Sequence, residues 1–456
     1  MHVVVLVPGI MGSRLALNGA ELWPPTPREA VFGYGRVDEL MKAGVVATDV
    51  IRNVACVDIY SSLIDRLEAW GFAETSAGGT RGRLVCWPYD WRIDIRASAV
   101  AFSAALRNLV GEVGPGARIS LLAHSMGGLV ARYAMEVADA ALGDTAWRAK
   151  IGLLATLGTP HRGAPVALVR ALGQEGSTGV SGADIRKFSS DPRYPSVYQL
   201  LPPRSANAFW STGGSPASLA TADMLDEAVA GALGLTLSNV AAARALHAAL
   251  DGGTRPGCRY FNFVGRTLET VVRCNLPSST AATGVAFANG GDGTVPVWSG
   301  TQADTQFDLE GDEHSHTFSD ANVQATVGAL LGVPVAIVMQ MAAPSSPLQL
   351  RLPTQVFAAG STTRVTAIAR GASNAPLEIV IQSTDEAGVA AEPPVAVVPV
   401  ATTPPAGDLT AIVELTMPAR PGWYVAILRT APTDATSPRI ASPGARFATQ
   451  RAKAPP

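Results

Sequence analysis

The chain has 456 residues, of which 47% are hydrophobic and 16% are charged, and its formal net charge at pH 7 is -2. This composition is typical of a well-cored globular protein, and the length suffices for one large α/β domain and a smaller second domain. Near-neutral charge without a basic stripe argues against nucleic acid as the main ligand. It also removes electrostatic attraction as the main route to an anionic membrane.

The first residues form a short apolar run that predicts a buried strand at positions 3–7. They carry neither a basic leader nor a small-residue cleavage site, so they do not resemble a signal peptide. No run along the chain approaches the roughly 18 to 20 apolar residues of a membrane span. We therefore expect a cytoplasmic protein whose contact with a membrane is at most peripheral.

This predicted strand leads into a glycine-containing loop with the sequence P-G-I-M-G-S at residues 8–13. In hydrolases with a nucleophile elbow, a loop after an early strand supplies one backbone N–H to the oxyanion hole. Glycines in such a loop let the backbone approach the substrate. We assign this donor to the N–H of Ile10, with the N–H of Met11 as the alternative.

Short apolar runs alternate with segments of helical periodicity along most of the chain, which predicts an α/β fold. The runs are almost continuously hydrophobic, so they predict a mostly parallel sheet covered by helices on both faces. The predicted strands are residues 3–7, 84–87, 119–123, 151–157 and 260–264. One predicted helix has its apolar face from Ile59 to Trp70 and ends at Gly71, and another has its apolar face from Ile95 to Leu109.

The segment A-H-S-M-G-G at residues 123–128 joins a predicted strand to a predicted helix. A serine on such a sharp turn, with small residues two positions before and after it, is typical of a nucleophile elbow. Here Ala123 stands where glycine is usual. Ser125 is the candidate nucleophile, and the N–H of Met126 at the helix start is the second candidate oxyanion donor.

Residues 165–257 interrupt the alternation and are rich in Gly, Ser, Ala and Pro, with helical patches predicted at residues 222–232 and 240–250. An insertion of this length ahead of later catalytic residues predicts a cap or lid over the site. A surface helical excursion without a gating role fits the same pattern.

Two later segments supply the acid and the base that a serine nucleophile needs, in the chain order Ser, Asp, His. Asp292 lies in the glycine-rich sequence G-G-D-G-T-V-P, where the alternative role is an Asx-type turn that ends a strand. His314 and His316 lie in the sequence E-H-S-H-T-F-S-D, just before a predicted capped helix. We assign the base to His314 from its spacing to that helix, with His316 as the alternative.

The other histidines and the cysteines predict no further chemistry. His161, in G-T-P-H-R-G at residues 158–163, is expected to fix its loop, with a contact at the active site as the alternative. The four cysteines are scattered without C-x-x-C spacing, so no metal site is predicted, and no cofactor is expected. A disulfide between Cys258 and Cys274 stays open.

The character of the chain changes near its C-terminal end. A Pro/Ser linker at residues 341–347 is followed by residues 348–456, where hydrophobic and polar residues alternate between Pro/Gly turns. This pattern predicts an immunoglobulin-like β-sandwich. The expected division is therefore an α/β domain at residues 1–340, a cap insertion at about 165–257, and a C-terminal β domain.

Six motifs follow one another within residues 1–335: P-G-I-M-G-S, L-W-P, P-Y-D-W-R, H-S-M-G-G, G-D-G-T-V-P and the segment around His314. Together they resemble the lecithin:cholesterol acyltransferase family, which includes lysosomal phospholipase and the phospholipid:diacylglycerol acyltransferases. The resemblance implies an α/β-hydrolase core, a Ser125–Asp292–His314 triad and an acyl-enzyme formed from a lipid ester.

The resemblance also implies a membrane-contacting region after the oxyanion loop, where this chain has Trp23, Phe32 and Tyr34. Met11 and Trp23 are the residues expected at the substrate. Secreted animal members of the family carry a disulfide in this region, whereas here only Cys56 lies nearby. Ordinary core packing of these aromatic residues is the alternative.

Three functions fit these observations. The leading hypothesis is a lipid acyl-ester hydrolase of the phospholipase A or lipase type, with acyl transfer to an alcohol where the cap excludes water. A second hypothesis keeps the triad but assigns a soluble ester or lactone as the substrate. A third makes the protein an effector hydrolase that a protein partner recruits through the C-terminal β domain.

Overall fold

The centre of the molecule is a seven-stranded sheet in which every pair of neighbours is parallel. The computed structural model describes residues 1–177, 179–211, 220–276, 282–302, 305–310, 313–334, 347–370, 376–400, 409–431 and 440–451. Across the central sheet the strands are, in order, Gln306–Glu310, Arg259–Gly265, Ile151–Leu157, Arg118–His124, His2–Val7, Gly82–Cys86 and Phe72–Ala73. The predicted α/β fold with a mostly parallel sheet is confirmed.

Helices cover both faces of this sheet, as the continuously hydrophobic strands predict. Because side chains alternate along a strand, the odd-numbered residues of His2–Val7 pack with the helices Ile95–Val113 and Met126–Glu136. The even-numbered valine and leucine of that strand pack with the helices Ser61–Ala69 and Ala321–Leu330 on the opposite face. The core is therefore two apolar layers separated by the sheet.

The order of the strands creates a switch point in the sheet. From His2–Val7 the chain adds strands toward one edge, and after Gly82–Cys86 it crosses to Arg118–His124 and builds toward the other edge. The loops that follow His2–Val7 and Arg118–His124 therefore leave neighbouring strands at the same end of the sheet. In open α/β sheets, ligands bind at this position.

The cap insertion is mostly helical. Its helices are Val166–Ala171, Gly182–Ser189, Ser196–Gln199, Glu227–Ala232 and Leu237–Asp251. The predicted helix at residues 222–232 begins only at Glu227, because the Asp226 carboxylate accepts hydrogen bonds from the N–H groups of Ala228 and Val229 and so caps it there.

A second sheet, which the strand predictions did not include, joins the cap to the core. Its four strands are Ala220–Thr221, Phe209–Ser211, Leu268–Leu276 and Thr283–Gly291. The last two pair antiparallel and form an extension inserted after the core strand Arg259–Gly265.

Short elements complete the fold of the part of the chain that precedes the C-terminal β strands. The strands are Ser13–Leu17, Ala20–Trp23, Val46–Val50, Asn53–Val54 and Val57–Asp58. The α-helices are Pro27–Phe32, Val37–Leu40 and Val297–Gly300, and the 3-10 helices are Ala140–Leu142, Ala146–Lys150, Arg204–Ala206 and His314–Ser319.

Two facing sheets form the C-terminal β region, which we define as residues 347–451. One consists of Leu348–Arg351, Thr362–Ala369 and Leu409–Thr416, and the other of Val356–Ala358, Ala445–Gln450, Gly422–Thr430, Leu377–Thr384 and Ala396–Val400. Leu415 of the first sheet shares a buried core with Leu428 and Phe447 of the second. The two-layer β fold predicted here is confirmed, whereas residues 341–346 of the predicted linker lie outside the described residues.

The four cysteines are free thiols, so the pairing of Cys258 with Cys274 does not form. Within the described residues, none of the helices has the length and apolar character that crossing a bilayer requires.

Candidate active site

Ser125 lies on a sharp turn between the strand Arg118–His124 and the helix Met126–Glu136. Its backbone has a φ of 52°, a conformation that costs free energy for a residue with a side chain and recurs at functional sites. A Cβ atom on Gly127 would lie 2.3 Å from the carbonyl oxygen of Pro8, so only glycine fits there. The turn is therefore a nucleophile elbow in its geometry, with the side chain of Ser125 held at the end of the sheet.

Ser125, His314 and Asp292 form one chain of hydrogen bonds. The Oγ atom of Ser125 lies 2.8 Å from Nε2 of His314, and Nδ1 of His314 lies 2.8 Å from Oδ2 of Asp292. All three side chains are buried. With Nδ1–H donating to the carboxylate, Nε2 is left to accept the hydroxyl proton of Ser125. The structure thus brings together the three residues that the sequence predicts as nucleophile, acid and base.

The carboxylate of Asp292 makes both the Asx-type turn and the contact with His314 that its two predicted roles require. Its Oδ1 atom accepts hydrogen bonds from the N–H groups of Thr294 at 2.9 Å and Val295 at 2.6 Å, which is the Asx-type turn. The turn orients the carboxylate so that Oδ2 meets His314. A Cβ atom on Gly265, the last residue of a central strand, would lie 2.3 Å from Cβ of Asp292. The inserted strand pair therefore returns Asp292 to the end of that strand.

The pKa of His314 is raised above its ordinary value. Burial by itself would lower this pKa, but the carboxylate of Asp292, through its charge and hydrogen bond, and the nearby Glu313 outweigh that effect. The protonated imidazole is thereby stabilised, as a base that holds a proton during a reaction requires. The backbone N–H of His314 also donates to the carbonyl of Asp292 at 2.9 Å, which fixes the two segments together.

The side chain of His316, the alternative base, lies outside the described residues. His161 is buried, and its Nε2 atom lies 3.3 Å from Oγ1 of Thr156. Its backbone N–H donates to the carbonyl of Ser299 at 3.0 Å, which ties its loop to the helix Val297–Gly300. This loop-fixing arrangement matches the role predicted for His161.

The sequence analysis missed a polar network behind Ser125. The hydroxyl of Tyr60 accepts a hydrogen bond from the N–H of Gly9 at 2.8 Å and therefore donates its own hydrogen to Nδ1 of His124 at 2.7 Å. The Nε2–H group of His124 then donates to the carbonyl of His314 at 2.9 Å. Burial and the neighbouring His314 lower the pKa of His124 to about 3, so it stays neutral. This network joins the candidate oxyanion loop to the backbone of His314.

The candidate oxyanion donors lie on two elements beside Ser125. A Cβ atom on Gly9 would lie 2.8 Å from Cβ of Ser125, which shows how closely the loop approaches the serine. The N–H of Gly12 donates to the carbonyl of Gly9 at 3.1 Å and closes this loop into a turn. Met126 is the first residue of its helix, where N–H groups have no acceptor within the helix. In the part of the chain that the structure describes, no group accepts a hydrogen bond from the N–H of Ile10.

The aromatic residues that follow this loop lie mainly in the core. The indole Nε1–H of Trp23 donates to the carbonyl of Met11 at 2.8 Å, and its ring packs edge-on against Tyr34. Trp23 and Tyr34 are both buried, whereas Phe32 is 60% exposed. Trp23 and Tyr34 are therefore packed in the core, and Trp23 supports the loop from behind. Both residues, with Met11, also line the cavity at Ser125, so the placement of Met11 and Trp23 at the substrate stays a prediction.

A large cavity opens onto Ser125 and His314. Its volume is about 1080 Å³, and most of its lining side chains are apolar. The candidate oxyanion loop, the insertion predicted as a cap and the C-terminal β region each supply part of its wall. A search of the described residues finds no cluster of three or more His, Cys, Asp or Glu side chains arranged to hold a metal ion.

Part of the chain matches a known family model. Residues 36–228 match the family model described as lecithin:cholesterol acyltransferase. The matched region includes Ser125 but ends before Asp292 and His314. An uncharacterized Saccharomyces cerevisiae protein, YJR098C, is 29% identical over 143 residues, which are 29% of this chain and 20% of that protein. The chain thus spans about a fifth of the length of the curated relative it matches.

Two solved structures are similar at low sequence identity. The Bacillus licheniformis lipase BlEst2 in its mature form is 13% identical, with 73% of this chain and 91% of that chain covered and a TM-score of 0.35. The phospholipase PlaB from Legionella pneumophila is 12% identical, with 99% and 92% covered and a TM-score of 0.35. The chain therefore has a parallel α/β fold, and over residues 36–228 it is similar to the lecithin:cholesterol acyltransferase family.

Proposed function

We propose that the protein is a serine-dependent lipid acyl-ester hydrolase of the phospholipase A or lipase type. The observation that carries the proposal is the chain of hydrogen bonds from Ser125 through His314 to Asp292 at the floor of a largely apolar cavity. Lipid-acting chemistry fits the family whose model matches residues 36–228.

In the proposed reaction, Oγ of Ser125 attacks the ester carbonyl while Nε2 of His314 takes the hydroxyl proton. The tetrahedral intermediate collapses, His314 returns the proton to the leaving alcohol, and the acyl group stays on Ser125. Water then attacks the acyl-enzyme with His314 again as base, which releases the fatty acid and restores the serine. Asp292 holds the imidazole in the required tautomer and stabilises its protonated form.

We further propose that the N–H groups of Ile10 and Met126 bind the oxyanion, with Met11 as the alternative loop donor. Their support is the close approach of Gly9 to Ser125 and the place of Met126 at a helix N-terminus. Removing one such donor typically lowers kcat by about 100- to 1,000-fold.

An alcohol can replace water in the second step, because both attack the same acyl-enzyme. The proposal therefore includes acyl transfer to an alcohol where water is excluded from the cavity. Peripheral contact with a lipid surface, and a protein partner for the C-terminal β region, remain predictions from the sequence.

The proposal is tested by the rate of hydrolysis over a series of ester chain lengths, followed by phospholipid vesicles with the products identified by mass spectrometry. We expect activity on long acyl chains, release of fatty acid from the vesicles, and loss of both in Ser125→Ala. Activity confined to short soluble esters, without any rise at a lipid surface, would contradict the lipid substrate and favour an esterase or lactonase.

A further inference from the structure

The cavity at Ser125 is bounded on one side by the C-terminal β region. Pro353, Thr354 and Val356 belong to its lining, together with Gln450 from the last described strand. These residues lie more than two hundred positions after Ser125 in the chain. The C-terminal β region is therefore a part of the cavity wall.

The contact reaches the loop of the candidate catalytic acid. A Cβ atom on Gly293, the residue after Asp292, would lie 3.3 Å from the carbonyl oxygen of Pro353. The buried guanidinium of Arg351 donates from Nη1 to Oγ1 of Thr267 at 2.5 Å, just before the strand pair that leads to Asp292. The polypeptide at residues 351–353 is thus fixed directly beside the candidate site.

A second set of contacts ties the same region to the cap and to the N-terminal segment. The side-chain amide of Gln450 donates to the carbonyl of Gly179 in the cap at 2.7 Å. The N–H of Arg451 donates to the carbonyl of Val31 at 3.1 Å. Val31 also shares a buried apolar cluster with Trp423. Contacts with the predicted cap and with the helix Pro27–Phe32 therefore orient the C-terminal β region at the cavity.

All three residues of the short strand Val356–Ala358 border the cavity, and alternation along the strand separates their side chains. Phe357 is buried in the core between the two β sheets. Because neighbouring side chains on a strand point to opposite faces, Val356 points away from that core. Val356 is half-buried, packs beside the cluster of Val31 and Trp423, and lines the cavity.

We propose that the C-terminal β region is the specificity wall of the active site, and that Val356 limits the length of acyl chain that the cavity accepts. This inference rests on the proposed function, since it names the part of the same site that selects the acyl group. The ligand is a fatty acyl chain whose far end meets the apolar side chain of Val356. The C-terminal β region thereby acts in substrate selection, independently of any protein partner.

The test measures kcat/KM of the full chain on p-nitrophenyl esters from acetate to palmitate. In Val356→Trp the added indole volume shortens the cavity, so we expect palmitate activity to fall about tenfold or more while acetate activity is unchanged. In Val356→Ala the cavity lengthens, so the preferred chain length should increase. The matched control is Val397→Trp, because Val397 is 49% exposed on another strand of the C-terminal β region.

Several outcomes separate this proposal from the one on which it rests. Equal loss on short and long esters in Val356→Trp, with an unchanged profile in Val356→Ala, would overturn the specificity wall. The same shift in Val397→Trp as in Val356→Trp would also overturn it. No hydrolysis of any ester by the unmodified chain, with no labelling of Ser125 by a fluorophosphonate, would instead be a failure of the proposed function.

Discussion

The parallel-sheet core and the C-terminal β region meet at the same cavity, but they build it in different ways. In the core, Ser125 directly follows a strand, and His314 comes four positions after the last residue of another strand. Side chains at the carboxyl ends of parallel strands converge, so local motifs place the candidate chemistry. In the C-terminal β region, the contacts come from Arg351 and Gln450, which belong to no recognisable motif. The candidate catalytic residues of the core thus lie in local motifs, whereas the proposed selection of the substrate depends on long-range packing.

The largest expected effect belongs to the core. We predict that His314→Ala lowers kcat by about 10⁵- to 10⁶-fold, because the serine loses the base that takes its proton. Steady-state kinetics on a short ester would measure this. His316→Ala is the matched control and should retain most of the activity. The opposite result for the two variants would move the base to His316.

A smaller but still large loss of activity is expected when the carboxylate of Asp292 is replaced. We predict that Asp292→Asn lowers kcat by about 10⁴-fold, because an amide cannot stabilise the protonated imidazole or fix its tautomer. The Asx-type turn accepts through Oδ1 and survives in the variant, so the thermal midpoint should change little. A large drop in that midpoint with modest kinetic loss would make Asp292 a structural residue.

The hydrogen-bond network through Tyr60 and His124 allows a further comparison of the core with the C-terminal β region. Tyr60→Phe removes the acceptor of the Gly9 N–H and the donor to His124, so we predict a roughly tenfold loss in kcat with a small change in KM. Tyr424→Phe is the control in the C-terminal β region, where the hydroxyl donates to the carbonyl of Arg420 at 2.6 Å. Equal kinetic losses in the two variants would show that the effect is on folding and not on positioning.

The smallest effect is a shift in pH dependence. His314 must be neutral to act as a base, and Asp292 raises its pKa, so kcat/KM should fall with decreasing pH through a midpoint above the ordinary histidine value of about 6.5. In Asp292→Asn the midpoint should move to lower pH. A midpoint that does not respond to this substitution would show that another group titrates.

Much of the core could be predicted from the sequence, because its signals are local. Continuous apolar runs indicate buried parallel strands, and the residues around Ser125, Asp292 and His314 carry motifs that depend on a single turn. The strand pair Leu268–Leu276 and Thr283–Gly291 was missed. Burial alternates along Leu268–Leu276 except at Val272, but the residue types do not follow it, because Thr270 is buried and Val271 is only half-buried. The ladder also contains register irregularities, so the period-two pattern in the sequence is weak.

The network through Tyr60 and the cavity wall at Val356 could not be predicted in this way. Tyr60 precedes an amphipathic helix and carries no motif, and it meets His124 only because two elements far apart in the chain pack on one face of the sheet. Alternating residues predict the strands of the C-terminal β region, yet they do not say which face meets another part of the chain. Such contacts are fixed by tertiary packing.

The central claim, that Ser125 is the nucleophile, is tested most directly by labelling the full chain with a fluorophosphonate and locating the adduct by peptide mass spectrometry. The account predicts one adduct, on Ser125, formed more slowly in His314→Ala and absent in Ser125→Ala. Undiminished labelling of Ser125→Ala, or an adduct on another serine of the unmodified chain, would contradict it.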